Sequence, residues 1–210
     1  MPTSFNKVLA HGTTMLDVVY TNLSREVPFF LQQLKEKWFD NAVEHEKFLG
    51  LDLEYTADQR GVAVIQLCFA RHVLIFQWAR SDKHCPELMD FLRSGITFAS
   101  VDIRNDKLKM RHSFGIEIPA GCLVDLQTIF RLRHDRTSMA HMAVALIDDS
   151  YADMKTVSQS LSTNFGRRAH LMISTLSMQQ KMHTFHTSCT ARFKSSTMAS
   201  VTSRKVDILI

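Results

Sequence analysis

Leu51-Asp52-Leu53-Glu54 sets two carboxylates two residues apart between leucines. In an extended chain, positions i and i+2 face the same side about 7 Å apart, so Asp52 and Glu54 would present their charges together. Two anions leaving an apolar strand are costly without a counter-charge, and a divalent cation is one physical reason for them; a solvent-facing polar edge is the plainer alternative. Asp106 is a third candidate. It stands beside Asn105 at a predicted helix start just after a strand, where loops of α/β proteins gather functional groups. There it can also serve the helix alone, by complementing its dipole. The three acids together are more specific than any one of them.

The elements that must position these acids can be read from apolar spacing. Residues 48–55, 62–69 and 73–78 are short runs rich in apolar, β-branched and aromatic residues separated by polar turns, which predicts three neighbouring strands. Before them, residues 7–22 alternate loosely around Gly12 and read as a short hairpin or an extended pair. Ser24 is the predicted cap of a helix running to about Asn41, with Val27, Phe30, Leu31, Leu34 and Trp38 at helical spacing and Pro28 in its first turn. After the strands, Pro86 opens a helix with Leu88, Met89, Phe91 and Leu92 on one face, and Gly95 stops it. A strand over 97–103 follows, then a helix from Asp106 to about Ser113, capped by Asn105 and closed by Gly115. Two more helices are predicted over 123–132 and 138–147. The order βββαβα describes an α/β sandwich with a mixed central sheet flanked by helices.

At 210 residues with 45% apolar content, the chain suits one domain with a real core. No stretch approaches the roughly 20 apolar residues of a membrane span, and the first residues lack a basic region followed by an apolar run, so a soluble intracellular protein is expected. Cys68, Cys85, Cys122 and Cys189 are scattered without a CxxC pair, which predicts buried free thiols. The formal charge of +4 is uneven: up to Lys155 there are 18 Lys and Arg against 20 Asp and Glu, whereas from Thr156 onward there are 7 against 1. The chain therefore divides into a domain over 1–155 and a basic, Ser/Thr-rich tail over 156–210, in which 18 of 55 residues are Ser or Thr.

Several other clusters have plain readings. His183, His186 and Cys189 recur every third residue but lack a fourth zinc ligand. Arg131, Arg133, His134 and Arg136 suit either a nucleic-acid strand or a solvated helix end. Phe69, Phe76 and Trp78 are expected in the core.

From about Met15 to Lys155 the residues resemble the 3'-5' exonuclease domain family of the ribonuclease D and Werner-helicase type, in particular its small plant members. The resemblance is carried by Gly50-Leu51-Asp52-Leu53-Glu54-Tyr55 with Val64-Ile65-Gln66-Leu67-Cys68 on the next strand. It continues through Phe98 to Met110, with Ile103, Asn105, Asp106 and Lys109 ending a strand and opening a helix, through Val124-Asp125-Leu126, and from Ser138-Met139-Ala140 to Lys155. What it implies is a ribonuclease H-like α/β fold hydrolysing phosphodiesters at the 3' ends of DNA or RNA, in the nucleus or the cytoplasm. It also implies Mg²⁺ or Mn²⁺ held by four acids, with Asp52, Glu54 and Asp106 as three. Two hard cations roughly 4 Å apart prepare a water and stabilise the leaving oxygen, work for which carboxylates are the expected ligands.

The resemblance also implies a fourth ligand, an Asp four residues after a Tyr, and this chain has none beyond Lys155: Tyr151 is its last tyrosine and Asp207 the sole acid downstream. If residues 176–185 are back-translated and read from each codon's third base, suitable synonymous codons give Glu-Tyr-Ala-Ala-Lys-Asp-Ala-Tyr-Val, the family's third motif. Some of this is independent of codon choice, because Met178-Gln179 and Met182-His183 both force alanine and Lys181-Met182 allows only Asp or Asn. A change of reading frame between about Lys155 and Phe165 is therefore expected, which leaves the fold incomplete at its C-terminus and its activity impaired. A catalytically inactive nucleic-acid-binding or protein-interaction module on the same fold is the alternative.

Overall fold

The computed structural model describes residues 3–10, 14–101 and 103–129, together with Val144. Apart from Val144, which is helical, the predicted helix over 138–147 lies outside the described residues, as do the basic cluster at 131–136, the division at 155/156 and the features of the tail.

Polar turns break the apolar runs into strands where the spacing anticipates them. β1 (Ser4–Ala10) and β2 (Thr14–Thr21) form the N-terminal hairpin. β3 (Phe48–Tyr55), β4 (Val62–Phe69) and β5 (His72–Phe76) follow as an antiparallel meander. With β6 (Thr97–Ser100) and β7 (Leu123–Asp125) they make one sheet in the order β1-β2-β5-β4-β3-β6-β7. The pairs β2/β5, β3/β6 and β6/β7 are parallel and the others antiparallel, so the sheet is mixed, as expected.

Strand alternation sorts the core. Leu49, Leu51 and Leu53 of β3, Ile65, Leu67 and Phe69 of β4, and Leu74 and Phe76 of β5 join one cluster with Val27, Phe30, Leu31, Leu34, Leu88, Phe91 and Leu92 from the helices. The opposite face of β4 and β5, carrying Val64, Cys68, Val73 and Ile75, is buried as well, the pattern of a sheet covered on both sides. Each fully buried leucine among these contributes about 2 kcal/mol of transfer free energy. Phe69, Phe76 and Trp78 are core residues, as expected, and Trp78 meets Phe76 and Phe114 edge to face. Cys68, Cys85 and Cys122 are free thiols, the first two buried.

Four expectations are corrected. Ser24 caps no helix: it lies in a 3₁₀ turn and its hydroxyl donates to Asp82, which pins that turn to the loop before α2. The first helix, α1 (Val27–Gln33), does not continue as α-helix but opens into π winding over Leu34–Phe39. Asp40 N–H accordingly donates to Lys35 O, five residues back, and the wider turn brings Phe39 into the core beside Leu34 while Trp38 stacks on His72 at 3.4 Å. α2 (Pro86–Arg93) matches its expected span, with Gly95 at φ 83° after it. α3 (Ile103–Phe114) begins three residues earlier than expected, so β6 ends at Ser100 and Asn105 sits exposed within the first turn rather than capping it. Finally, residues 123–125 are a strand, because Leu123 and Val124 pair with Phe98 and Ala99; the following α4 (Leu126–Ile129) starts where the Asp125 carboxylate accepts Gln127 N–H at 2.9 Å.

Candidate active site

β3 and β6 run parallel with Gly50 opposite Ala99, so both strands end at the same edge of the sheet. In open α/β sheets the crevice outside the carboxyl ends of strands is where ligands bind. β3 delivers Asp52 and Glu54 there on one face, both partly buried, with Asp52 between the buried Leu51 and Leu53 and Glu54 between Leu53 and Tyr55. β6 delivers Ser100. α3 turns back over the same edge and brings Asp106 in its first turn, 5% exposed.

The hydrogen bonds show how close the elements come. Tyr55 Oη donates to Asp106 Oδ1 at 2.6 Å, and Ser100 Oγ donates to Oδ2 at 2.8 Å. Tyr55 follows a register shift between Glu54 and Tyr55 in the β3/β4 ladder, the kind of irregularity that re-aims a side chain. The same helical face of α3 continues the seam: Lys109 Nζ lies 5.4 Å from the centroid of the Tyr55 ring and donates to Gln59 O, and Ser113 Oγ accepts Val62 N–H at 3.0 Å. Three polar side chains at i, i+3 and i+7 thus fasten α3 to the β3/β4 hairpin.

Asp52 is held differently. Its cross-strand partner Gln66, fully buried, donates through Nε2 to Asp52 Oδ2 at 2.8 Å. Burial pushes the Asp52 carboxyl up from 3.8 to about 7, with the charges of Glu54 and then Asp106 adding to the rise and the Leu53 backbone N–H opposing it. Asp52 therefore senses both other acids. Gln66 Oε1 is buried with no hydrogen-bond partner among the described residues.

All three expected acids thus come to one sheet edge, although, among the described residues, no three His, Cys, Asp or Glu side chains are drawn together tightly enough to form a metal-ligand cluster. Sequence reading assigned no role to Tyr55, Ser100 or Gln66. A polar Gln in the otherwise apolar Val62–Phe69 was the one visible signal; nothing in the local sequence marks Ser100, whose partner is six residues away across a strand-to-helix turn.

No family model matches the chain, and no curated protein matches it in sequence. Solved structures do match. Ribonuclease D of Trypanosoma brucei superposes with a TM-score of 0.59 at 14% identity, covering 78% of this chain and 64% of its own. Ribonuclease D of Escherichia coli gives 0.55 at 17% identity, covering 86% of this chain and 45% of its own. The exonuclease domain of Aedes aegypti Nibbler gives 0.54 at 13% identity, covering 85% and 88%. The chain thus spans less than two thirds of the length of either ribonuclease D. No helix among the described residues is long and apolar enough to cross a membrane. Taken with the mixed seven-stranded sheet, these likenesses identify the fold as the ribonuclease H-like fold that these structures share.

Proposed function

We propose that this chain is a phosphodiesterase domain acting at the 3' ends of nucleic acids, with Asp52, Glu54 and Asp106 as its carboxylates for divalent cations. The observation that carries the reading is the Tyr55–Asp106 hydrogen bond of 2.6 Å, which ties the first turn of α3 to the end of the strand that bears the other two acids. The donor set fits hard cations: three carboxylates, with one, Asp52, raised by burial and by the other two, so that positive charge placed among them relieves repulsion. Mg²⁺ or Mn²⁺ bound there would supply Lewis-acid activation of water and charge neutralisation at the scissile phosphate. The chain's own residues do the positioning. Gln66 fixes the rotamer of Asp52, and Tyr55 and Ser100 orient the carboxylate of Asp106. Rotation of Asp106 about its own side chain would break both hydroxyl contacts.

The finer reading is that the fourth acid and its tyrosine are lost to a frame change between about Lys155 and Phe165, so that this chain is an impaired exonuclease. Groups that merely support metal ligands commonly matter by roughly 10- to 100-fold, about 1.4 to 2.7 kcal/mol of transition-state stabilisation, and losing a direct ligand costs at least that. Sequencing transcript and gene across this segment tests it, and related genes encoding the same tail in one continuous frame overturn it. The catalytic reading is tested with the full chain, Mn²⁺ and 3'-labelled single-stranded and recessed duplex substrates. Slow Mn²⁺-dependent release of label, abolished by Asp52→Ala, is expected. Equal product from both proteins removes the catalytic assignment, and no product from either favours the inactive nucleic-acid-binding module, which the absent Tyr-x-x-x-Asp already supports.

A further inference from the structure

The outer surface of α3 carries a charge pattern that the acids on its inner surface do not use. Arg104, Lys107, Leu108 and Arg111 stand at i, i+3, i+4 and i+7, and all four are exposed, Leu108 at 65%. That spacing places them in one stripe along the helix. Ile103, Asp106 and Met110 are buried on the inner side, and Lys109 is turned to Tyr55 and Gln59. The helix holds four Lys and Arg against a single acid, the buried Asp106, within a domain whose residues up to Lys155 carry two more acids than bases. A merely solvated helix face usually mixes both signs; here the acid facing the stripe is Glu117 from the segment after the helix, 3.3 Å from Arg111 and well exposed.

We propose that this stripe is the track for the phosphodiester backbone of a single nucleic-acid strand whose 3' end lies at Asp52, Glu54 and Asp106. Only the placement of the 3' end rests on the nuclease reading; the binding surface stands without catalysis. Arg104 is two residues from Asp106, so the track begins about 3 Å along the helix axis from that acid, on the other side of the helix. From Arg104 to Arg111 the helix rises about 10 Å, the length of about three phosphates at roughly 3.4 Å per nucleotide of a stacked strand. The two guanidinium groups can each grip a phosphate through paired N–H donors, Lys107 adds a point charge between them, and the exposed Leu108 offers apolar contact to a sugar or base. The charge sign explains the division of labour on one helix: cations outside attract the polyanion, while the carboxylate inside faces the reacting end.

The test uses fluorescence anisotropy of the full chain with 5'-fluorescein oligouridylate and oligothymidylate 12-mers, in EDTA, from 50 to 200 mM KCl. The triple variant Arg104→Gln/Lys107→Gln/Arg111→Gln is expected to bind roughly tenfold more weakly at the lowest salt. Its log–log salt slope should be shallower by about 2, at about 0.7 per phosphate contact of a single strand. Lys109→Gln, which removes a cation already engaged by the hairpin, should keep the wild-type slope. Asp52→Asn should keep binding, so loss of Mn²⁺-dependent cleavage with binding intact bears on the catalytic reading and not on the track. Four results overturn the proposal: wild type that binds neither oligomer at 50 mM KCl, a triple variant with unchanged slope, an equal drop when Arg167, Arg168 and Lys181 of the tail are changed to Gln instead, or displacement of the strand by polyglutamate at equal charge, which reassigns the stripe to an acidic protein. All three side chains are exposed, and circular dichroism of the triple variant checks that the fold is retained. The difference between the two oligomers reports the sugar preference of the track.

Discussion

Around Asp106, at the junction of β6 and α3, burial and hydrogen bonding are matched: the carboxylate is 5% exposed, and each oxygen accepts a hydroxyl, one from Tyr55 and one from Ser100. Around Asp52, on the β3/β4 ladder, they are not. The Gln66 Nε2–H and the Leu53 backbone N–H are its donors, the charges of two other carboxylates bear on it, and the far end of that same Gln is a buried acceptor without a donor among the described residues. The contrast teaches that a buried acid is compatible with a stable fold when neutral donors satisfy it, and that unrelieved charge concentrates where donors run short. The shortage falls on β3, the strand whose two acids share a face. The place where a cation would gain most is therefore the ladder rather than the helix turn.

The largest effect expected from this contrast is the loss of Asp106. Asp106→Ala leaves two hydroxyls without their acceptor in a buried place, and charge-assisted hydrogen bonds are worth about 1.5 to 3 kcal/mol each. Destabilisation of about 3 kcal/mol in urea unfolding is expected, with Asp106→Asn recovering part of it because one amide oxygen can still accept. An unchanged midpoint for Asp106→Ala would mean that the hydroxyls find other partners, and the two regions would then not differ as described.

How much of this was legible in the sequence depends on whether the signal was local. The strands over 48–55 and 62–69 and the helix opening at Pro86 were visible because apolar spacing and turn residues lie within the segment itself. The acids Asp52 and Glu54 were visible for the same reason: their shared face follows from a spacing of two. The π winding over Leu34–Phe39 was not, since the sequence continues a helical apolar period and only packing decides that Phe39, rather than Trp38, enters the core. Leu123–Asp125 reads as helix by composition and becomes a strand because the open edge of β6 supplies hydrogen bonds. Tyr55 and Ser100 became meaningful only when α3 began at Ile103 and swung Asp106 back onto them, a consequence of the chain path that no window of residues contains.

A smaller effect sharpens the contrast from the Asp106 side. Tyr55→Phe removes one hydroxyl and keeps the ring beside Lys109, so it should cost about 1.5 kcal/mol, within the range for a hydrogen bond to a charged acceptor. Ser100→Ala should act similarly. Because both donors serve one carboxylate, a double-mutant cycle between them should show coupling. Additive losses would indicate that Asp106 is not the acceptor that links them.

The smallest effect has the opposite sign and comes from Asp52. Its folded-state carboxyl is raised from 3.8 to about 7, so the native chain holds that proton more tightly than the unfolded chain does. The associated stability is fully present below about pH 4 and is lost as pH rises towards 7. In metal-free protein Asp52→Asn should flatten this decline. At pH 8 the variant should be the more stable by on the order of 1 kcal/mol, a figure discounted for the partial exposure of the side chain. The introduced amide also offers an N–H to Gln66 Oε1, which has no donor among the described residues, and this adds to the gain. Millimolar Mn²⁺ should then reverse the order, since an ion that binds the native acids stabilises wild type by mass action and finds one ligand fewer in the variant. Thermal melts at pH 5 and pH 8, each with EDTA and with Mn²⁺, read all of this at once. A variant less stable than wild type at pH 8 in EDTA would show that Asp52 is satisfied as fully as Asp106, and the ladder would lose its claim to be where a cation is needed.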